Sequence, residues 1–287
     1  MNSKKGYSAS LQTQKIIRTI ICVLFCLLSL GPFLLLIINS TRDSEAIKLG
    51  VTLIPGKYFF ANWKALLEKQ GGMQITLQRA MWNSLVVTVP ATFFSVYCSS
   101  MTAYGVHVYD FKLKKFAWTF ILAIMMIPNQ ITAVGFYRFM LKLNMVDSYL
   151  PLIIPCVAAP GVVFFMKEYM ESTLSLEMIE AARIDGAGEF RTFNKIVMPI
   201  MKPAIATQAI FQFIAQWNNL FMPSFLITTD KKKTIPMFVQ MLSSDQFRTD
   251  YGIVYVGIFV TIIPLIVIYL ILSKYIIAGV ALGGVKG

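Results

Sequence analysis

Charged and metal-binding side chains are scarce in this sequence. Lys, Arg, Asp and Glu make up 14% of the 287 residues, 56% are hydrophobic, and there are one histidine and four cysteines. No two cysteines form a Cys-x-x-Cys pair, and all four fall in apolar runs, where cysteine usually behaves as a small apolar side chain. We therefore expect no metal and no disulfide, and the composition excludes an ordinary soluble domain.

The motifs of several enzyme classes are also missing. There is no Gly-x-x-x-x-Gly-Lys-Ser/Thr loop to hold the phosphates of ATP, and no Gly-x-Ser-x-Gly or His-x-x-x-His pattern. We therefore expect that this chain binds no cofactor and is not an enzyme. The sequence gives little support to an integral-membrane enzyme, because it contains no group of residues typical of an active site.

Six long windows of the sequence contain no Asp, Glu, Lys or Arg. They are residues 19–41, 80–109, 116–137, 148–166, 203–229 and 251–273. At about 1.5 Å per residue, each is long enough to cross a hydrocarbon core of about 30 Å as a helix. The sequence therefore predicts an all-α integral membrane protein with six transmembrane helices. The missing charges disfavour an ion-coupled secondary transporter, in which buried carboxylates or histidines normally carry the ion.

Six spans place both ends of the chain on one side of the membrane. Lys4, Lys5, Lys15 and Arg18 precede any acidic residue, which favours cytoplasmic termini. We expect a multi-pass protein of the bacterial cytoplasmic membrane. Its expected segments are a cytoplasmic tail (1–15), a first transmembrane helix (16–41), an external loop (42–79), a five-helix domain (80–275) that includes a loop at 172–202, and a cytoplasmic tail (276–287).

The net charge of +12 suits a partner of negative charge, such as nucleic acid or anionic lipid. The basic residues are scattered among the connections, so we expect the lipid bilayer as that partner and no nucleic acid. The long connection after the first span also carries an aromatic group at Tyr58, Phe59, Phe60 and Trp63. This group suits either the membrane interface or contact with a binding protein, and the sequence leaves the two open.

A densely charged stretch, Glu180–Pro203, separates the fourth and fifth windows. Ser175 can cap a short helix before it, and Gly186 can end that helix, because glycine adopts the left-handed conformation at low cost. A second short helix should follow and end at Pro199. Its predicted apolar face consists of Phe190, Phe193 and Val197. The pattern predicts two short amphipathic helices that protrude between the two spans.

The order of residues in this stretch resembles the EAA loop of ABC-importer permeases. The matching positions are Glu180-Ala181-Ala182, Asp185-Gly186, Ile196 and Pro199. In that family the loop forms the coupling helix that docks on a cytoplasmic ATPase. The resemblance implies that Glu180 contacts a basic ATPase residue and that Ala182 permits close approach. It also implies that Asp185 and Gly186 shape the turn.

An alternative interpretation of the same stretch is an amphipathic loop that lies on lipid headgroups. Such a loop should carry an excess of Lys and Arg, whereas residues 167–202 contain five basic and six acidic side chains. The balance of charge therefore favours docking on a protein.

Interior prolines interrupt several of the predicted spans. Asn83 or Ser84 can cap the second span, and Pro90 should kink it or mark its true start. In the third span, the proline of Pro128-Asn129-Gln130 should break the helix. Such a break is tolerated where it lines a wet cavity, so we expect the translocation pathway nearby. The fourth span contains three prolines and should be irregular.

A narrow polar stripe follows one face of the fifth span. Its members are Gln208, Gln212, Gln216 and Asn219. Neutral amides both donate and accept hydrogen bonds, which suits a neutral polyhydroxyl solute on a translocation pathway. Amides also join helices at subunit interfaces, and the sequence leaves both roles open. The span ends in Trp217-Asn218 and Pro223, a run that resembles the Trp-Asn-x-x-x-x-Pro pattern of sugar-importer permeases. We expect Trp217 and Asn218 on the same pathway or interface, together with Asn129 and Gln130 of the third span.

The final residues, Gly283-Gly284-Val285-Lys286-Gly287, are similar to the ending of maltose-type permeases. The combined resemblance implies one permease subunit of an ATP-driven importer for a di- or oligosaccharide. It also implies a homologous second permease, two ATPase subunits that bind ATP and magnesium, and an extracellular solute-binding protein. The alternatives are an ABC importer for another neutral polar solute and, with less support, an ion-coupled secondary transporter.

Overall fold

All regular secondary structure is helical in the parts of the chain that the computed structural model describes, residues 2–244 and 249–283. Four helices are long and apolar enough to cross a membrane: Gln14–Ser40, Leu77–Val108, Leu150–Thr173 and Tyr251–Tyr275. Two bent pairs also qualify: Lys114–Met125 with Gln130–Lys142, at 99°, and Glu189–Ile200 with Lys202–Trp217, at 81°. With each bent pair counted as one span, the total is six, and the predicted all-α membrane fold is confirmed.

The α-helices follow one another along the chain with short connections. They are α1 (Asn2–Ser40), α2 (Ser44–Lys48), α3 (Phe59–Gly71), α4 (Leu77–Val108), α5 (Lys114–Met125), α6 (Asn129–Lys142), α7 (Leu150–Ile153), α8 (Pro160–Thr173), α9 (Leu176–Ile184), α10 (Glu189–Thr192), α11 (Met198–Ile200), α12 (Lys202–Trp217), α13 (Phe221–Leu226), α14 (Ile235–Leu242) and α15 (Tyr251–Gly283). Short 3-10 segments occupy Ile154–Val157 and Asp230–Lys232, and a π-helical turn occupies Phe193–Val197. The last four residues, which carry most of the maltose-type ending, lie outside the described ranges.

One compact unit comprises Met1–Lys69 and Leu242–Val260. In this unit the side-chain amide of Asn62 donates to the backbone carbonyls of Ser40 (3.1 Å) and Arg42 (2.8 Å). The Arg42 guanidinium is buried and donates to the carbonyl of Gly50 at 3.0 Å, as a buried charge requires. A Cβ on Gly252 would lie 2.7 Å from the Asn62 amide nitrogen. The long connection after α1 therefore has its own ordered structure, which includes α2 and most of α3.

The second unit comprises Gln70–Met241 and Thr261–Gly287. Within it, α4 packs against α8 and α12. The buried face of α4 consists mainly of small side chains, including Ala80, Ser84, Thr88, Ala91, Ser95, Ser99 and Ala103. Small side chains allow transmembrane helices to approach closely. Helix α4 is therefore the central element to which the neighbouring spans are fitted.

The predicted start of the second span is wrong. The helix begins at Leu77, and the hydroxyl of Thr76 caps it by accepting a hydrogen bond from the backbone N–H of Arg79 at 3.3 Å. The charge-free window 80–109 excludes this first turn because the turn contains the charged Arg79. Asn83 lies inside the helix, where its amide donates at 2.9 Å to two carbonyls of the connection before α14. Pro90 also lies inside the helix.

The prolines of the third and fourth spans interrupt their helices as predicted. Pro128 occupies the N-cap of α6, after the 99° bend. The fourth span changes from α7 to a 3-10 turn and then to α8, which starts at Pro160. Pro203 lies in the first turn of α12, where its missing N–H costs no helical hydrogen bond. That helix ends at Trp217, well before the end of the apolar window at residue 229.

Asp147 joins the connection after α6 to the connection after α13. Its carboxylate accepts hydrogen bonds from the backbone N–H groups of Thr228 (3.0 Å) and Thr229 (2.9 Å) and from the ammonium of Lys232 (2.9 Å). Partial burial alone would raise the pKa of Asp147, but the hydrogen bonds from Thr229 and Lys232 outweigh it and hold the pKa well below its ordinary value. A lowered carboxyl pKa stabilises the folded state at neutral pH, and this contribution is lost in acid.

We expect Asp147→Asn to lower the unfolding temperature of the purified protein by about 2–4 °C at neutral pH, because loss of this partly exposed charge costs about 1 kcal/mol. The amide keeps the side-chain shape and tolerates the positive φ of 62° at this position. The difference from the unmodified protein should shrink as the pH falls below about 4. The exposed Asp110→Asn is the matched control. Equal shifts in the two variants at neutral pH would contradict this role of Asp147.

Candidate functional site

The 172–202 loop begins with the short helix predicted for it. The hydroxyl of Ser175 accepts a hydrogen bond from the backbone N–H of Met178 at 3.3 Å and caps α9, which ends at Ile184. Gly186 has φ +76°, in the left-handed region that favours glycine. The predicted cap and the predicted glycine turn are both confirmed.

The second helical segment of the loop differs from its prediction. Phe193 and Val197 are buried, but Phe190 is 70% exposed, so the predicted three-residue apolar face is wrong. The π-helical turn starts at Phe193, and a 3.6-residue repeat does not hold across such a turn. The segment also continues to Ile200, one residue beyond Pro199, before the bend into α12.

Glu189 fastens the loop to the end of α4. Its carboxylate accepts a hydrogen bond from Arg183 Nε at 2.7 Å and another from the hydroxyl of Tyr104 at 2.9 Å. The Arg183 guanidinium also lies 5.6 Å from the ring centroid of Tyr109. The hydrogen bond with Glu189 raises the pKa of Arg183, so the guanidinium stays charged at neutral pH. No sequence pattern indicates the bond between Tyr104 and Glu189, because the two residues lie 85 positions apart in the chain.

The residues that match the EAA pattern divide into two groups. Glu180, Ala181, Asp185, Gly186 and Pro199 are exposed. Ala182 is 6% exposed and Ile196 is half-buried, and both line a cleft of about 280 Å³ between the two helical segments, at whose edge Asp185 also lies. The surface available to a partner therefore includes the carboxylates of Glu180 and Asp185, whereas the methyl group of Ala182 belongs to the inner side of the loop.

Two large apolar side chains project from this charged loop. Ile184 is 86% exposed and Phe190 is 70% exposed. The sequence analysis did not select Ile184, although an isolated apolar residue between Arg183 and Asp185 was a usable signal. Exposed apolar side chains surrounded by charges are typical of a surface that docks on another protein.

Part of the amide stripe lines the largest of the described cavities, about 780 Å³ in volume. Gln212, Gln216 and Asn219 reach it from α12 and the turn that follows. Gln216 also donates to the sulfur of Cys156 at 3.3 Å. Ser95 lines the same cavity from α4, and its hydroxyl is buried without a hydrogen-bond partner. The structure therefore brings three of the four predicted amides together with a hydroxyl that the sequence analysis did not select.

The other predicted pathway residues lie elsewhere. Gln208 is buried and does not line the cavity. Trp217 is also buried, and its ring N–H donates to the carbonyl of Thr261 at 3.0 Å, so it packs α12 against the last span. Asn218 is an exposed C-cap, and Gln130 is exposed in the first turn of α6. The side chain of Asn129 lies outside the described residues.

The helical spans and the protruding loop together define a multi-pass inner membrane transport subunit. The family model for the binding-protein-dependent transport system inner membrane component matches residues 95–281. The chain belongs to this family, whose members are permease subunits of transporters and not catalytic chains.

Similar proteins extend the comparison over nearly the whole chain. The arabinooligosaccharides transport permease of Halalkalibacterium halodurans is 35% identical over 89% of this chain and 91% of its own length. The corresponding permease of Bacillus subtilis is 32% identical over 98% and 99%. A bacterial ABC transporter that imports the acidic polysaccharide alginate contains a chain of the same fold, with a TM-score of 0.73 and 23% identity over 92% of this chain and 96% of that chain.

Proposed function

We propose that this chain is one permease subunit of an ATP-driven ABC importer for a neutral carbohydrate. Its partners are a homologous second permease, two ATPase subunits that bind ATP and magnesium, and an extracellular solute-binding protein. The observation that carries the proposal is the 172–202 loop, which matches the EAA pattern, exposes Glu180 and Asp185, and is fastened to a transmembrane helix.

The fastened loop can transmit force from an ATPase to the membrane. The contacts of Glu189 with Arg183 and Tyr104 tie the loop to α4, and α4 packs against α8 and α12. When ATP closes the ATPase dimer, the loop moves as a rigid body and the bundle changes between inward- and outward-facing states. Coupling requires that the loop bind the ATPase with different affinity in these two states.

The orientation of the chain in the membrane follows from this mechanism. A loop that docks on an ATPase faces the cytoplasm, where ATP is available. With six spans, both termini then lie on the cytoplasmic side. The connections after α1 and after α13 lie on the outer side, where a binding protein delivers solute.

A carbohydrate is the solute that best fits the chain. The relatives of Halalkalibacterium and Bacillus are named for arabinooligosaccharides. The residues that line the large cavity include amides, a hydroxyl and aromatic rings, with no charged side chain among them. Neutral donors and acceptors suit sugar hydroxyl groups, and aromatic faces suit the apolar side of a sugar ring. Gln212, Gln216 and Asn219 accordingly lie on the translocation pathway or at the interface with the second permease, whereas Gln208 is buried outside the cavity.

Uptake by the reconstituted complex tests the proposal. Both permeases, the ATPase and the binding protein are placed in liposomes, and uptake of labelled arabino- and malto-oligosaccharides is measured. We expect uptake to require ATP on the ATPase side and to persist when ionophores collapse the ion gradients. Uptake that needs an ion gradient but no ATP would instead establish an ion-coupled transporter. If the complex takes up a different neutral solute with ATP but none of these sugars, it is an importer whose substrate is not a carbohydrate.

A further inference from the structure

We propose that an apolar loop between α2 and α3, residues 49–56, lies in the headgroup region of the membrane and anchors the end of α1 on the lipid surface. Such an anchor requires only that α1 crosses the membrane, so it is independent of the solute and of the ATPase. The loop reads Leu-Gly-Val-Thr-Leu-Ile-Pro-Gly and contains no charged residue. It lies within the unit that comprises Met1–Lys69 and Leu242–Val260.

The large apolar side chains of this loop are exposed. The exposed fractions are 90% for Leu49, 80% for Val51, 72% for Leu53 and 75% for Ile54. Four such side chains within six residues form a contiguous patch, which differs from the scattered apolar residues that any protein surface carries. A patch of this kind marks an interaction site for a protein or a membrane.

Both ends of the loop are fixed to the end of α1. The Arg42 guanidinium donates a hydrogen bond to the carbonyl of Gly50 at 3.0 Å. At the other end, the backbone N–H of Gly56 donates to the hydroxyl of Thr41 at 2.9 Å. Leu53 is three residues from each of these glycines. Because a chain extends by at most about 3.6 Å per residue, Leu53 lies within about 11 Å of either fixed glycine.

The end of α1 lies at the edge of the hydrocarbon core. The charge-free window 19–41 is about 34 Å long as a helix, slightly more than a hydrocarbon core of about 30 Å. Arg42, which follows directly, therefore lies at the level of the headgroups, a layer about 5–8 Å thick on each side. The short tethers keep the whole loop near this layer.

The backbone limits how deeply the loop can enter the membrane. The segment between α2 and α3 has no regular secondary structure. Irregular backbone is not tolerated in contact with hydrocarbon, because its N–H and C=O groups need hydrogen-bond partners. Water and lipid polar groups supply those partners at headgroup level, and side chains such as Leu53 can extend from there towards the acyl chains.

The residues around the loop also suit a lipid surface. Lys48 and Lys57 flank the loop and are exposed, although Lys48 pairs with Glu45 at 2.7 Å. Lysine can place its apolar stem against lipid and its ammonium among phosphate groups. Tyr58 is 52% exposed and Phe60 is 81% exposed, and aromatic rings are enriched at membrane interfaces. Aliphatic side chains with flanking lysines and aromatic rings are typical of an interfacial anchor.

A binding protein is the alternative occupant of this patch. The side chains that contribute most to binding between proteins are enriched in Trp, Tyr and Arg, whereas Leu and Val are under-represented. The tip of the loop is aliphatic and contains none of the enriched types. The composition therefore favours lipid over a protein surface.

A fluorescent label at residue 53 measures the depth of the loop. A variant without the four native cysteines receives Leu53→Cys, is labelled with bimane and is reconstituted with its partner subunits in nanodiscs of phosphatidylglycerol and phosphatidylcholine. Part of the phosphatidylcholine carries bromine near the start of the acyl chains. Lys64→Cys, at an exposed position of α3 in the same unit, is the matched control. We expect brominated lipid to quench the label at residue 53 several-fold more strongly than the label at residue 64. Equal quenching at the two positions would overturn the anchor.

A pair of substitutions at residue 51 tests whether apolar character holds the loop in lipid. Val51→Asp places a charge beside the label and should lower its quenching by brominated lipid several-fold, because interfacial binding depends on apolar area. Val51→Met keeps an apolar side chain and should retain the quenching. Equal quenching in both variants would show that the apolar side chains do not hold the loop, and it would overturn the anchor.

Iodide in the aqueous phase identifies the occupant if lipid does not quench the label at residue 53. Quenching by iodide that disappears when the sugar-loaded binding protein is added would assign the loop to that protein. A label that neither lipid nor iodide quenches would be covered by another part of the complex, and one that iodide quenches in every state would be free in solvent. Each of these results would overturn the lipid anchor. None of them bears on ATP-driven uptake, which is measured separately.

Discussion

Gly186→Val should reduce solute-stimulated ATP hydrolysis and uptake about tenfold or more while the permease remains in the membrane and assembled. Gly186 has φ +76°, a conformation that is strongly unfavourable for a β-branched side chain. Strain of about 1–3 kcal/mol would be relieved by a change in the turn, which would shift Glu180 and Asp185 relative to the second helical segment. The measurement is ATP hydrolysis and sugar uptake by the reconstituted complex.

Gly188→Val is the matched control for this variant. Gly188 lies two residues away in the same loop and has φ −67° and ψ 154°, which valine adopts readily. A Cβ would meet nothing within 4 Å at either glycine, so steric contact does not distinguish them. We expect Gly188→Val to retain most of the activity. Full activity in Gly186→Val would show that the left-handed turn is not needed for coupling.

Glu189→Ala should give the second large loss, because it removes the acceptor that holds both Arg183 and Tyr104. The tyrosine ring is buried, so its hydroxyl would lose a charged partner; hydrogen bonds to charged groups contribute about 1.5–3 kcal/mol. Without this contact the loop is held to α4 less firmly, through the packing of Phe193 and the hydrogen bond from the hydroxyl of Tyr97 to Asn194 at 3.1 Å. We expect basal ATP hydrolysis to remain and stimulation by solute to fall about tenfold or more.

Two further variants test whether the contact itself is responsible. Tyr104→Phe removes one of the two hydrogen bonds of Glu189 and should produce an intermediate loss of stimulation. Glu177→Ala removes an exposed carboxylate from the same loop without touching the contact with α4, and should retain stimulation. Equal losses in Glu177→Ala and Glu189→Ala would show that the charge of the loop, and not its attachment, matters for coupling.

The local structure of the loop could be predicted from sequence, but its packing could not. The Ser175 cap and the Gly186 turn depend on side chains within three residues of the backbone groups they affect, so the pattern was sufficient. Helical periodicity did not anticipate the π-helical turn at Phe193–Val197, nor the exposure of Phe190 just before it. The partner of Glu189 lies on a helix far away in the sequence, so only the folded chain could reveal it.

The same division holds for the membrane domain. The apolar windows predicted the number of spans correctly, because a charge-free run of sufficient length crosses a bilayer in almost any fold. They placed the start of α4 and the end of α12 incorrectly: the hydroxyl of Thr76 sets the first through a hydrogen bond, and α12 ends at Trp217 inside an uncharged window. Helical spacing grouped four amides on one face of the fifth span, but Asn219 lies in the turn after α12, and Gln208 does not line the cavity that the other three line.

By itself, the sequence determined that this protein is an all-α membrane chain with a coupling-type loop, because charge distribution and local turn chemistry are properties of contiguous residues. The tertiary structure decided which side chains share a site. It brought Ser95 and Phe136 to the amides of α12, and Tyr104 to Glu189, through contacts between distant segments. Such contacts depend on how helices pack, and packing follows from the combined shapes of many side chains that no single stretch of sequence contains.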